Sequence, residues 1–525
     1  MLYLRIARAK PEAGQNRVVP PSMTNQLLIQ YFHWYYNEEQ LLWEKVKNDA
    51  GWLASLGVTQ VWLPPTYKGR EGANCIGYEP YDLFDVGEFD QKGSVATRYG
   101  VREQYEAAVA ELRSNGIGAV ADVVFNHKAG GDELERVTVK RVDPGNREAF
   151  TSDAFEIDAW TRFTFPGRKG KHSEFIWDFH CFSGVDWAED LQESAIFSIQ
   201  NQYGEGWEPV PSTENGNYDF LMFNDIDFRN TSVREELKYW GKWYLESFQP
   251  TGFRLDAVKH INIDFVNDWV DHMNAVSEKP LFFVAENWSV ESLQALEDYL
   301  DATGSRVQLF DSMLHHNLYQ ASVQGEAYDL SRILDNTLVS SRPERAVTFV
   351  DNHDTQPLQS LESYVDFWFR PLAYALILLR EQGIPCLFFP DLYGAIYHDA
   401  GAEGEEHEII LAKVEELPVL ARLRKELGHG LQRDYFDFPS CIGWTREGSA
   451  EYPNSGFAVV MSNGTEGFKD MEMGPGLAGK VMVDALGKRE GEVVINETGW
   501  GNFHCAAGSV SVWILKDAAM ALQLE

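Results

Sequence analysis

Val101–His127, VREQYEAAVAELRSNGIGAVADVVFNH, holds a complete helix-then-strand unit. Val101, Tyr105, Ala108 and Leu112 recur at spacings of four, three and four, the apolar stripe of a helix packed on one side. Ala119–Phe125 follows as a short apolar, β-branched run, which reads as a strand covered on both faces. It runs into Asn126-His127, polar residues at the end where a parallel strand opens onto a barrel mouth.

The same alternation extends about 400 residues in all. Further strand candidates are Leu27–Phe32, Gln60–Leu63, Gly252–Asp256, Leu281–Ala285, Val307–Phe310, Ala346–Val350 and Cys386–Phe389. With Ala119–Phe125 they number eight, as a closed parallel barrel requires. A second helical stripe, Val233, Leu237, Trp240 and Tyr244, follows Ser232-x-x-Glu235, a capping-box pattern. The expected fold is therefore α/β, a (β/α)8 TIM barrel over 23–126 and 230–424. Residues 127–229 show no helical period and are too long for a structureless loop, so they are expected to form an inserted β-rich domain after strand three. From 425 to 525 the pattern becomes short alternating runs, among them Gly456–Met461, Lys480–Val483, Glu492–Ile495 and Ser509–Leu515, expected as a C-terminal antiparallel β-sandwich. Residues 1–22 read as a poorly ordered extension, with Met23 as an alternative start.

The 525 residues carry 45 basic and 80 acidic side chains, a net charge of −35. Such a surface repels phosphate backbones and anionic lipid, so neither nucleic acid nor membrane is an expected partner. No apolar stretch reaches the roughly 18 residues of a membrane span. The N-terminal residues lack the apolar core of about 7–15 residues found in signal peptides. The five cysteines are scattered, without a CxxC pair, which fits a reducing compartment. A cytoplasmic monomer is expected. Aromatic residues make up 13%, including 16 Trp. Most should pack the core, and so should Trp444, Trp500 and Trp513, the candidates for a surface sugar site.

Function in such a barrel sits just past the C-terminal ends of the strands. Reading there yields Asp122, Asn126 and His127 after strand three, Arg254, Asp256, Lys259 and His260 after strand four, Glu286 after strand five, and Asp351, His353 and Asp354 after strand seven. One such aspartate is often a helix cap; Asp256, Glu286 and Asp354 crowded at one mouth repel each other and point to chemistry. Several carboxylates suit attack on an acetal: one attacks the anomeric carbon and a protonated one supplies the leaving oxygen with its proton. Arg254 shares a strand face with Asp256 and is expected to hold it ionised as nucleophile. Glu286 has no cation beside it in sequence, and anionic crowding is expected to raise its pKa, as a general acid requires.

These four segments resemble the signature regions of the α-amylase family of glycoside hydrolases, in order and spacing, over about Gln26–Val512. The liquefying bacterial type is resembled through YFHWYYNEEQLLWEKVKNDAGWLASLGVTQVWLPPTYKG (Tyr31–Gly69), GYEPYDLFDVGEF (Gly77–Phe89) and NYDFLMFNDIDF (Asn217–Phe228). The resemblance implies Asp256 as nucleophile, Glu286 as general acid/base and Asp354 as the third carboxylate. It implies that His127, Arg254 and His353 bind the glucosyl ring at the cleavage point, that Tyr78 stacks on it, that Asp122 supports the barrel centre, and that Lys259 and His260 contact the leaving-group side. It further implies one structural Ca2+ between barrel and inserted domain, with Asn126, Asp219 and Asp225 as side-chain ligands and His260 as a carbonyl ligand. The alternative for Asp219, Asp225 and Asp227 is a solvated acidic loop. Relatives often add a second calcium and a sodium; Ser183, Glu208 and Arg229 stand where that cluster would have aspartates, so it is expected to be absent or weak.

The expected activity is endo-acting, retaining hydrolysis of α-1,4-glucans: starch, glycogen or malto-oligosaccharides. The nearest alternative is a 4-α-glucanotransferase using the same carboxylates. A catalytically silent glucan-binding relative is the alternative of a different class.

Overall fold

In the computed structural model, residues 25–37, 41–401 and 404–523 are described. The expectations for residues 1–22 and Met23 lie outside them. Eight parallel strands close a barrel: β1 (Leu28–Gln30), β2 (Gln60–Leu63), β3 (Gly118–Val123), β4 (Gly252–Leu255), β5 (Phe282–Ala285), β6 (Gln308–Phe310), β7 (Ala346–Phe349) and β8 (Ile384–Phe388). Neighbours in space are neighbours in sequence, and β1 pairs with β8 to complete the ring. Each strand coincides with one of the eight apolar runs within a few residues. Burial on both faces makes the strand positions almost continuously apolar, which is why the pattern could be read.

The helix Arg102–Ser114 buries Tyr105, Ala108, Val109 and Leu112. The helix Thr231–Phe248 buries Val233, Leu237, Trp240 and Tyr244, the whole second stripe. Its start differs from expectation. Asn230 is the N-cap, its side chain accepting from the Ser232 N–H (3.0 Å), so the Ser232/Glu235 box is not used. An Asn two residues earlier performs the same task of satisfying an orphan amide.

Between β3 and β4 lies a sheet in the spatial order His127–Lys128, Asn224–Ile226, Phe182–Ala188, Glu193–Ile199, Glu133–Asp143, Asn146–Phe150, with Phe155–Arg162 also pairing Glu133–Asp143. The first and last strands of the insertion in sequence, His127–Lys128 and Asn224–Ile226, pair with each other, so the insertion closes on itself beside the barrel mouth. After the helix Leu417–Leu427 comes an antiparallel six-stranded sheet, whose central strands Cys441–Arg446, Phe457–Ser462 and Ser509–Leu515 are buried. The two-stranded sheet of Gly467–Glu472 and Trp500–Cys505 packs against it. Trp444 and Trp513 are core residues, whereas Trp500 is 38% exposed. All five cysteines are free and buried. Among the described residues no helix is long and apolar enough to cross a membrane.

Gly252 opens β4 where an added Cβ would lie 2.2 Å from the Phe282 carbonyl oxygen of β5. Gly252→Ala is expected to cost about 1–3 kcal/mol through overpacking. Activity should fall with it, because Arg254 and Asp256 ride on the same strand. An unchanged urea midpoint would show that the strand pair has room to spare.

Candidate active site

The parallel register stacks the polar residues in layers. Arg254 pairs with Asp122 across β4/β3 and with Val284 across β4/β5, so Asp256 and Glu286 come side by side one layer nearer the mouth. The Arg254 guanidinium lies beneath them, 1% exposed. Its Nη1 donates to Asp122 Oδ1 (2.9 Å) and to Asp256 Oδ1, and its Nη2 donates to Glu286 Oε2 (2.6 Å). Asp122 also accepts from Trp62 Nε1 (2.9 Å) and from the Tyr78 hydroxyl (2.7 Å). Asp122 is 2% exposed and absent from the cleft wall; it anchors Arg254, Trp62 and Tyr78 from below.

This geometry corrects one expectation. Glu286 has the same cation at hydrogen-bond distance as Asp256, because neighbouring strands bring together what the sequence separates by 32 residues. Nor does Arg254 suffice to keep the Asp256 carboxyl low. Burial, offset in part by Arg254, pushes it up to about 7. Asp354 is pushed well above the usual carboxylate range by burial and then by the Glu286 charge. Each of Asp256 and Glu286 keeps one oxygen, Oδ2 and Oε1, without a hydrogen bond among the described residues. Ala257 takes a left-handed backbone (φ 47°), which directs its N–H to Glu286 Oε2 (3.2 Å). A non-glycine residue held there is a local strain located at the site itself.

Above the three carboxylates opens a cleft of about 680 Å³, lined also by Tyr78, His127, Lys259, His260 and His353. The site residues therefore converge, except Asp122 and Arg254, which lie beneath the floor. Tyr78 stacks on His353 with centroids 4.9 Å apart, and Trp34 continues the stack on Tyr78 at 5.7 Å. Burial keeps His353 well below its ordinary pKa, hence neutral. Gln30 Nε2 donates to His353 Nδ1 (3.0 Å), which puts the ring proton on Nε2, 3.4 Å from Asp354 Oδ2. Lys259 Nζ donates to Glu214 Oε1 (3.1 Å), joining the β4 side of the cleft to the insertion.

Several lining residues were missed. Trp34 and Gln30 lie at the C-terminal end of β1, where the rule applied to strands three, four, five and seven would have found them. Glu214, Tyr218 and Leu221–Phe223 come from the insertion, whose sequence has no period to place them.

The expected metal ligands also gather. Burial holds His127 near a pKa of about 4, so the ring is neutral. Its Nε2 lies 2.9 Å from the Tyr78 carbonyl and must donate, leaving Nδ1 as an acceptor 3.1 Å from Asn126 Oδ1, also an acceptor. As placed, Asn126 Nδ2 donates to the Asp219 carbonyl (3.3 Å), Asp225 Oδ1 (3.3 Å) and the His260 carbonyl (3.1 Å); with the amide turned, Nδ2 donates to His127 and Oδ1 takes that place. Four oxygens converge in that orientation, a donor set that fits a hard cation. Asp219 faces this point with its carbonyl; its carboxylate Oδ2 accepts from the Glu208 N–H (2.9 Å). Asp219, Asp225 and Asp227 are at most 1% exposed, so the solvated-loop reading fails. Beside them, Arg229 grips Asp227 with two bonds of 2.8 Å, and burial with the Asp219 charge pushes Glu208 up to about 9.

An acidic cluster at the C-terminal mouth of a (β/α)8 barrel, with a stacked aromatic wall and no phosphate-binding loop, marks a carbohydrate-cleaving class. Comparison with known proteins identifies which. The family described as "Alpha amylase, catalytic domain" matches residues 44–455, and "Alpha-amylase C-terminal" matches 457–514. The chain is 48% identical over 496 residues to the cytoplasmic alpha-amylase of Escherichia coli K12, covering 94% of this chain and 100% of that one. It is 46% identical to the glucan 1,4-alpha-maltohexaosidase of Bacillus sp. strain 707 (94% and 93% covered) and 45% identical to the alpha-amylase of Bacillus licheniformis (93% and 93%). The crystal structure of wild-type alpha-amylase I from Eisenia fetida shares the fold (TM-score 0.62, 15% identity, 93% and 97% covered). The chain belongs to the α-amylase family and is a glycoside hydrolase.

Between about pH 4 and 7 the folded chain keeps a proton on Asp256 that the unfolded chain has released, so raising the pH through this window costs stability. Asp256→Asn removes that cost. Its Tm should match the wild type near pH 4 and exceed it by several degrees at pH 8. A difference independent of pH would contradict the raised Asp256 carboxyl.

Proposed function

We propose that this chain is an endo-acting α-amylase that cleaves α-1,4-glucans with retention of configuration. The arrangement of Asp256, Glu286 and Asp354 around Arg254 at the floor of an aromatic-walled cleft carries the reading. Glu286 protonates the glycosidic oxygen while Asp256 Oδ2 attacks the anomeric carbon, giving a covalent glycosyl–Asp256 intermediate and a shortened chain bearing the new hydroxyl. Water, deprotonated by Glu286, then attacks the same carbon from the opposite face and releases Asp256. Arg254 spreads its charge over Asp256 and Glu286 through both steps. Asp354, whose carboxyl burial and the Glu286 charge push upward, hydrogen-bonds the sugar ring being distorted, and His353 Nε2–H and His127 border the same subsite. Tyr78 supplies the stacking face, and Lys259 and His260 line the leaving-group side.

The same reading places one Ca2+ at Asn126 Oδ1, the Asp219 carbonyl, Asp225 Oδ1 and the His260 carbonyl. Bound there, it supplies a fixed charge that ties the insertion to β3 and the β4 loop. The Arg229 cation, already inside the neighbouring acidic cluster on Asp227, supports one calcium rather than a metal cluster. A cytoplasmic monomer acting on glycogen or maltodextrin is the proposed setting; the E. coli relative named cytoplasmic supports the location.

Proton NMR of a linear malto-oligosaccharide of about seven glucose units tests the reaction. New α-anomeric reducing ends appearing before mutarotation are expected; redistribution into longer and shorter chains without new reducing ends would make the chain a transferase. Asp256→Asn and Glu286→Gln should each lower kcat by several orders of magnitude while the folded spectrum is kept. Full activity in either variant would sink the assignment.

Chelation should lower Tm, calcium should restore it, and metal analysis should find one ion per chain. Two tightly held calciums would overturn the single-ion reading.

A further inference from the structure

At the mouth opposite the cleft, where the N-terminal ends of β1 and β8 meet the C-terminal sheet, lies a second cavity of about 460 Å³. Three arginines line it. Arg380 is neutralised by a two-bond pair with Asp434 (2.7 and 2.8 Å). The other two are not. Among the described residues Arg424, 6% exposed, donates only to backbone carbonyls, those of Leu378 (2.7 Å), Gln26 (3.1 Å) and Arg380 (3.3 Å), and its Nε has no partner. Arg446, 8% exposed, donates from Nε to the Gly430 carbonyl (3.0 Å), and its two terminal nitrogens carry no hydrogen bond among the described residues. Neither Arg424 nor Arg446 has a carboxylate within ion-pair distance among the described residues.

A buried, uncompensated guanidinium is costly, and two facing one cavity are more so. Burial and then the Arg446 charge push Arg424 down to about 9, and burial lowers Arg446 as well. Shortage of acid is not the cause in a chain with 80 acidic side chains. Glu381 and Glu451 reach the cavity only from its exposed rim, where solvent screens them. His429, stacked on Tyr452 at 3.7 Å, adds a flat face at the edge of the cavity.

We propose that this cavity binds a phosphate-type dianion, either free phosphate or the phosphate ester of a small sugar, gripped by Arg446 with Arg424 behind it. Guanidinium forks suit phosphate oxygens, and the volume exceeds what a bare ion fills. Arg424 belongs to the helix Leu417–Leu427 packed on the barrel and Arg446 to a strand of the C-terminal sheet, so the anion would clamp one to the other. Its effect is on stability, with the cleft at the far mouth left unchanged.

Calorimetric titration of the full chain with inorganic phosphate, glucose 1-phosphate and glucose 6-phosphate, at constant ionic strength with chloride as control, tests this. Saturable 1:1 binding and a Tm rise of several degrees are expected. Arg446→Gln should weaken binding tenfold or more while leaving kcat on glucan unchanged. Equal affinity for the three would assign the site to the phosphate group alone; tighter binding of an ester would assign it to the sugar phosphate. Absence of saturable binding by all three to the wild type, or equal binding by Arg446→Gln, would overturn the proposal.

Discussion

The Arg254 guanidinium gathers charge from three consecutive strands. Asp122 on β3, Asp256 beyond β4 and Glu286 beyond β5 all bond to this one buried cation. Removing Arg254 would leave three buried acids without their shared cation, which is far costlier than the pairs themselves are stabilising. The arrangement holds only if the three strands keep their register, since a slip of one residue would turn every one of these side chains out of the barrel. Catalytic geometry and barrel closure are therefore one constraint. The cation also stacks over Trp62, at 5.0 Å, so the apolar floor and the charged layer position each other.

Neutral histidines convert that layer into directed donors. His127 and His353 are both held uncharged by burial, and each has one nitrogen assigned by a neighbour: the Tyr78 carbonyl for His127, the Gln30 amide for His353. The consequence for His127 reaches furthest. Its lone pair demands a donor from Asn126, which turns the Asn126 oxygen toward the Asp219, Asp225 and His260 oxygens. The cleft and the proposed cation site would thus share a hydrogen-bond chain, and the insertion is oriented by the same residues that line the site.

Charge is distributed unevenly along the barrel axis. At the C-terminal mouth, three acids share the Arg254 cation; at the N-terminal mouth, two buried cations lack an acid among the described residues. Parallel strands make this possible, because all C-terminal ends point one way and the loops at either mouth vary independently.

The eight strands, their order and the polar residues at their ends could be read in sequence because double-sided burial imposes continuous apolar runs and the chain alternates strand with helix. The resemblance to the α-amylase family added roles to Asp256, Glu286 and Asp354. Helix starts were less readable: Ser232 and Asn230 are both competent caps, and only packing of the helix chooses between them. The walls contributed by Glu214, Tyr218 and Phe223 were hidden, since the insertion is an irregular antiparallel sheet without helical period. The sharing of Arg254 by Asp256 and Glu286, and the raised Asp256 carboxyl, were also out of reach. Both depend on distances between strands and on exclusion of water, quantities set by closure of the barrel and not by the spacing of residues along one strand.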